Sequence, residues 1–348
     1  MKANGMQKKK MTGNGFLLLI TIALFAVMYI AGMIIFADKG FAKPQMFLNL
    51  FVSNAGLLVI ACGLTIVMIT GGIDISVGSV TALVCMVLAD LMENKGVNTY
   101  VAVLVALLIG VAFGIVQGFC ISYLEIQPFI VTMAGMFFAR GLTALISSDM
   151  ISIENPTFLS LANYRIYFGF ITYYNNRGVA MHPYIYLSVV IALLVVAISF
   201  VILRYTKFGR AVFAVGGNEQ SALLMGLNPK VTKLKVYVLN GFLASLAGFA
   251  FCLNSCGGFV EQARGFEMDA IAAAVIGGTL LTGGVGTVVG SLFGSLIKGI
   301  IETIITFQGT LSSWWTRIVI ALLLCFFVIL QSVFKSIREK RLAQGNEK

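Results

Sequence analysis

The sequence predicts an all-α, polytopic membrane protein of about ten transmembrane helices, two of them interrupted by Gly-Gly motifs in related positions. Three observations carry this reading. The 348-residue chain is 59% hydrophobic and only 11% charged. Several of its apolar runs reach about 20 residues, enough for a helix to cross a hydrocarbon core of roughly 30 Å. These runs are continuously apolar, whereas a barrel strand would alternate over about ten residues. The net charge of +10 is gathered at Lys2, Lys8, Lys9 and Lys10, in residues 204–235, and in residues 335–341. That is the positive-inside bias of a membrane protein and not a nucleic-acid surface.

In chain order, residues 1–14 read as a basic cytoplasmic tail and 15–334 as one transmembrane domain. Residues 15–36 form a first span. No small-residue cleavage site follows it, so it reads as a retained span and not a signal peptide. Asp38, Lys39, Gly40 and Pro44 make an external turn, and residues 46–69 a second span. The third opens at the first Gly-Gly motif and ends near Leu91. The fourth, 100–124, carries Gly110, Gly114 and Gly118 at i, i+4 and i+8, a seam of small residues that lets another helix approach. Pro128 suits the start of the fifth span, which ends near Ile146. Arg140 in its outer part is expected to snorkel outward. Residues 147–183 are a long external loop whose tyrosines serve either a partner or the membrane interface. Spans six and seven are placed at 184–203 and 236–256, with an external loop at 257–269. Residues 270–281 and 287–305 give spans eight and nine, the latter with Lys298 and Glu302 paired at i, i+4. Trp314 and Trp315 mark the external interface, a tenth span follows, and 335–348 form a second basic cytoplasmic tail.

The chain is organised around Gly71-Gly72-Ile73-Asp74-Ile75-Ser76, deep in an apolar region. A carboxylate at membrane depth costs about 2.5–3.5 kcal/mol on insertion scales, so it is normally partnered or faces water. Residues 70–80 align without gaps on 282–292, with Thr, both Gly, Val, Gly and Ser identical. Interrupted apolar segments at matching positions point to a translocation pathway, here Gly71, Gly72, Asp74, Ser76, Gly283 and Gly284. Gly286 stands where the first copy has Asp74, so the symmetry is imperfect. A plainer reading is two Gly-rich helix contacts, with Asp74 capping a helix at the membrane surface.

Residues 204–235 form a cytoplasmic coupling loop. Within it Asn218 is an N-cap, Glu219 suits the first helical turn, and Gly226 followed by Pro229 is a stop. Gly217, Asn218, Glu219, Leu223, Leu224 and Gly226 thus define a two-turn helix too short to stand alone. It packs on its own membrane domain or in a groove of a cytoplasmic subunit. No phosphate loop is present, so ATP hydrolysis by that route is excluded. The six cysteines lie in apolar runs without metal spacing, and His182 is alone; no catalytic residue, metal or cofactor is implied.

Gly71-Gly-Ile-Asp-Ile-Ser-Val-Gly-Ser79, Pro128-Phe-Ile-Val-Thr132, Phe208-Gly-Arg210, Gly216-Gly-Asn-Glu219, Asp269-Ala-Ile-Ala-Ala273 and Gly277-Gly-Thr279 with Gly283-Gly-Val-Gly286 resemble the permease subunits of ribose-type sugar ABC importers. The likeness runs from about residue 45 to 335. It implies a permease in a bacterial inner membrane with both termini cytoplasmic, paired with a second permease chain. It further implies a separate cytoplasmic ATP-binding subunit docked on the 217–226 helix and an extracytoplasmic sugar-binding protein. Ala134-Gly-Met-Phe-Phe138 and Gly309-Thr-Leu-Ser-Ser-Trp-Trp315 look like the galactofuranose-type permeases, which pair two different permease chains. Membrane lipid is the remaining partner. The alternatives are an ion- or proton-coupled carrier with Asp74 as its proton site, and an ABC importer of branched-chain amino acids.

Overall fold

Continuous apolar stretches become helices because a membrane leaves no solvent for the backbone to bond. In the computed structural model, which describes residues 13–174, 178–312 and 314–346, the order is as follows. Helix α1 spans Gly13–Ile35, α2 Pro44–Ile69, α3 Val77–Ala89, α4 Thr99–Ser122 and α5 Pro128–Ile146. Then come β1 Ile151–Ser152, α6 Pro156–Ala162, β2 Arg165–Tyr167, β3 Tyr173–Tyr174, β4 Ala180–Met181 and β5 Tyr184–Tyr186. Helices α7 Leu187–Tyr205, α8 Lys207–Gly217, α9 Glu219–Leu224 and α10 Pro229–Ser255 follow. The chain ends with β6 Gly257–Gly258, α11 Phe266–Ile276, α12 Val288–Gln308 and α13 Trp314–Asn346. The basic cluster Lys2, Lys8, Lys9 and Lys10 lies outside the described residues. Helix α13 continues without a break through most of the expected second tail.

The helical class holds, relieved by three two-stranded antiparallel ladders, β1–β6, β2–β5 and β3–β4, which structure the long loop 147–183. Among the described residues nine helices are long and apolar enough to cross a membrane, one fewer than expected. The missing one is the eighth. Its apolar run folds as α11, whose 11 residues rise only about 16 Å, half of a bilayer core. The other half of the crossing is made by the loop before it, while residues 277–287 turn at the end of the bundle, where Gly277 abuts Gly290 at the start of α12.

The loop before α11 was expected to lie outside; instead it descends into the bundle. Gly258 abuts the backbone of Met86, while the carbonyl of Ala263 reaches Gly78. Met86 and Gly78 are eight residues apart on α3, so the loop drops by about 12 Å. Arg140 does not snorkel. Its guanidinium donates to the carbonyls of Val260 and, at 2.8 Å, Gln262, holding the descending loop against α5.

The centre of the bundle is α2, buried along most of its length, with α10 packed between it and α4. The glycine seam on α4 is used as its spacing predicts. A Cβ at Gly110 would overlap the carbonyl of Gly241, and one at Gly114 that of Tyr237. Gly114→Leu is therefore expected to separate α4 from α10 and remove most folded chain, by about 3 kcal/mol or more of overpacking. Monodisperse yield in mild detergent checks it; unchanged yield would show that the seam is slack.

Candidate functional site

Thr70, Gly71 and Gly72 end α2, and a non-helical stretch then runs to Ser76, the residue before α3. This lets Asp74 point into the bundle, where it is 2% exposed. Its Oδ1 accepts from the Ser76 amide at 2.8 Å and the Ser76 hydroxyl at 2.6 Å. Its Oδ2 accepts from Asn240 Nδ2 of α10 at 2.7 Å. Gln117 Nε2 of α4 donates to Ser76 Oγ at 2.9 Å, and Tyr237 OH to the Ile73 carbonyl at 3.3 Å. The two readings of Asp74 thus merge: it is deeply buried, and it satisfies an amide at a helix start. Asp74→Asn is expected to lower stability by about 1–3 kcal/mol, because its new amide either faces the Ser76 donors or forces the Asn240 amide to turn over, which leaves the buried Asn240 NH2 without its carboxylate acceptor. Thermal unfolding of the purified chain reads this, and an unchanged midpoint would mean that the network is not closed as described.

The second motif meets the first. Gly284 N donates to Ile69 O at 2.8 Å. A Cβ on Gly283 would lie 2.9 Å from both Gly71 N and Gly216 O, and one on Gly284 would lie 3.0 Å from the Gly217 Cα. Gly71, Gly283 and Gly284 have φ of +79°, +83° and +75°, a conformation that costs other residues about 1–2 kcal/mol. Three Gly-Gly pairs, 71–72, 216–217 and 283–284, therefore touch at one end of the bundle. A Cβ on Gly286 would lie 2.7 Å from Ile69 Cγ1 and 2.9 Å from Thr279 Cγ2, so a carboxylate in the place of Asp74 would meet packed apolar side chains. The start of α1 and the last turns of the described α13 side chains lie at this same end. Thr21 Oγ1 donates to Ile276 O at 2.6 Å, and Gln331 Nε2 to Val275 O at 2.9 Å.

The coupling segment is two short helices joined by Asn218. Asn218 Oδ1 accepts from Ser221 N at 2.7 Å, and Glu219 Oε2 pairs with Lys233 Nζ at 2.6 Å. Gly226, at φ +81°, stops α9, and Asn228 Oδ1 caps α10 on Val231 N at 3.1 Å. Ala222 is buried, but Leu223, Leu224 and Met225 are 61%, 89% and 68% exposed. Between α9 and the first motif lies a cleft of about 690 Å³, bordered by Gly71, Gly72, Glu125, Asn218, Glu219 and Lys233. Lys230 hydrogen-bonds Glu125 and pulls its carboxyl below the usual range.

Of the sequence-derived site residues, the structure gathers the four motif glycines and Gly217 into one junction. It places Asp74 and Ser76 behind them in a closed network, and leaves Leu223 and Leu224 bare. Gln117 and Asn240, which complete that network, were missed. They lie 41 and 166 residues from their partners, and nothing local marks them. Among the described residues no group of three or more His, Cys, Asp or Glu is placed to hold a metal.

A bundle with nine helices long and apolar enough to cross a membrane among the described residues, a half-length helix and two clasped Gly-Gly breaks has the architecture of a polytopic membrane protein. Residues 46–328 match the family model described as the branched-chain amino acid transport system / permease component, and the chain belongs to that family. It is 42% identical over 326 residues, 93% of this chain and 94% of the other, to the inner membrane ABC transporter permease protein YjfF of Escherichia coli strain K12. It is 36% identical to the fructose import permease protein FruG of Bifidobacterium longum strain NCC 2705, over 90% of this chain and 89% of that one. It is 32% identical to the ribose import permease protein RbsC of Escherichia coli strain K12, over 89% and 92%. No solved structure matches. The chain is thus a multi-pass inner-membrane permease subunit of the ABC type and not an enzyme.

Proposed function

We propose that this chain forms one half of the translocation pathway of an importer for a monosaccharide, a galactofuranose- or ribose-like sugar. A separate ATPase docks on α9 from the cytoplasm, and an extracytoplasmic binding protein delivers the sugar. On this reading the Gly-Gly junction, both termini and the coupling segment are cytoplasmic, and the Tyr-rich loop is outside. A second permease chain, identical or different, completes the pathway.

The observation that carries the reading is the bare apolar tip of α9, Leu223, Leu224 and Met225, held on a segment that clasps both motifs. A cytoplasmic subunit moving α9 would move the backbone on which the two interrupted helices meet. The sugar is supported by relatives named for fructose and ribose import, against the amino-acid solute in the family description. The carrier alternative is weakened because Asp74 is sealed by Ser76 and Asn240 away from any opening.

Tagged purification from the native membrane, with mass spectrometry of the co-purifying chains, tests the assembly. An ATPase with a second permease chain is the expected result. Recovery of this chain alone, still transporting in vesicles without ATP, would overturn it.

A further inference from the structure

The descending loop puts charge where lipid does not hold it. Glu261 and Arg264, paired at 2.6 Å, have side chains 60% and 73% exposed. They flank Ala263, whose carbonyl touches Gly78 at the start of α3. Ionised groups at such depth face a bundle interior or a water-filled cavity. The face around the start of α11 therefore looks onto water or onto the second chain.

Beside it lies a cavity of about 580 Å³ between α2, α11, α12 and α13, within the usual range for a small-molecule site. Phe266, Asp269, Lys298, Glu302 and Arg317 supply its chemistry. Lys298 is buried, with Nζ 2.5 Å from Glu302 Oε1 and 3.8 Å from Asp269 Oδ2. Its Nζ stands 5.9 Å from the centre of the Phe266 ring. Arg264 lines the cavity as well and is paired with Glu261, so with that pair counted three cations meet three carboxylates. A free anion would meet Asp269 and Glu302, and a free cation would meet Lys298 and Arg317. A hydroxyl is both donor and acceptor, so alternating ammonium and carboxylate groups suit a ring that carries several of them. The cavity also sits at the head of the half-helix, and interrupted helices are where transporters hold solute near the midplane.

We propose that this cavity is the outward-facing solute subsite, binding an uncharged polyhydroxylated ring through Asp269, Lys298 and Glu302. It rests on the sugar-importer reading and adds the place of binding. The far end of α11 leads through residues 277–284 to the Gly-Gly junction, so solute and coupling segment act on opposite ends of one short element.

Thr303 lines the cavity and gives the test. In the full importer, with its binding protein and with Cys256→Ser and Cys325→Ser as background, Thr303→Cys is treated from outside with a membrane-impermeant methanethiosulfonate. D-Ribose, D-galactose and D-fructose are the probes, and L-leucine is the control. The expected result is labelling that at least one sugar, present at about ten times its Kd, slows about tenfold and leucine does not. In parallel Glu302→Gln, a milder change than any at buried Lys298, is expected to raise the KM for that sugar about tenfold to a hundredfold at unchanged membrane level. Labelling that no sugar slows, with ATP-driven sugar uptake intact, overturns the subsite and leaves the importer reading standing. Labelling that appears only after lipid is stripped by detergent marks a lipid-filled cavity and also overturns it. An importer that takes up leucine and none of the sugars removes the sugar reading itself.

Discussion

Leu224→Asp is expected to reduce ATP-driven uptake about a hundredfold while the chain stays in the membrane at its usual level. Leu224 is 89% exposed and contributes little to the packing of its own chain, so its replacement leaves the fold largely untouched. The geometry that presents it is instead over-determined. Asn218 caps α9, Glu219 ties it to Lys233, Ala222 is buried beneath it, and Gly226 turns the chain into α10. A six-residue helix does not persist in isolation, so this much support for a bare apolar tip implies something to be presented to. Truncating or charging a central apolar anchor of an interface costs about 2 kcal/mol or more, and an aspartate buried against an apolar groove costs further. Glu219→Lys is expected to abolish uptake as well, but it also sets a cation against Lys233 and so disturbs α9 itself. The cleaner reading comes from Leu224→Asp, with sugar uptake and co-purified ATPase both measured against membrane level. Normal uptake in that variant would remove α9 as the docking point.

The elements that were legible in the sequence are those written in local code. Pro128 begins α5, Asn218 caps α9 and Gly226 ends it, and the i, i+4 glycines of α4 meet α10. Pro229, read only as a stop, instead begins α10 seven residues before the expected seventh span, with Asn228 as its cap. The Lys298–Glu302 pair forms as its spacing requires. What failed was depth. Residues 270–281 are apolar enough to read as a span, yet composition does not say that the loop before them has already descended. The descent depends on Arg140, which sits on another helix and spends its donors on the carbonyls of Val260 and Gln262. Asp269 is similar: it reads as a loop residue, but lies on α11 within 3.8 Å of the buried Lys298. Asp74 was singled out correctly as anomalous, but its partners Asn240 and Gln117 come from helices that only the tertiary fold brings near. The paired motifs were found by repetition, and their meeting with Gly216 and Gly217 was not, because no sequence pattern links the three.

Gly216→Ala is expected to cost the assembled protein far more than Gly217→Ala, although the two residues are neighbours of one type on one helix. A Cβ on Gly216 would overlap the Ile69 carbonyl oxygen and lie 2.8 Å from Gly284 N. Those two atoms share the 2.8 Å hydrogen bond that joins the first motif to the second. A methyl group there must push α8 away or break that bond. Overpacking costs about 1–3 kcal/mol, and a lost buried hydrogen bond adds about 1 kcal/mol. A Cβ on Gly217 meets nothing within 4 Å, and alanine there gains up to about 1 kcal/mol in helix propensity. The midpoints of thermal unfolding in detergent should therefore move in opposite directions, or at least diverge by several degrees. Equal midpoints would show that the coupling segment does not grip the motifs. The same pair separates stability from coupling: if Gly216→Ala still folds at low temperature, the displaced α8 no longer carries motion from α9 to the junction. Partner ATPase activity then proceeds without sugar uptake, whereas Gly217→Ala retains both.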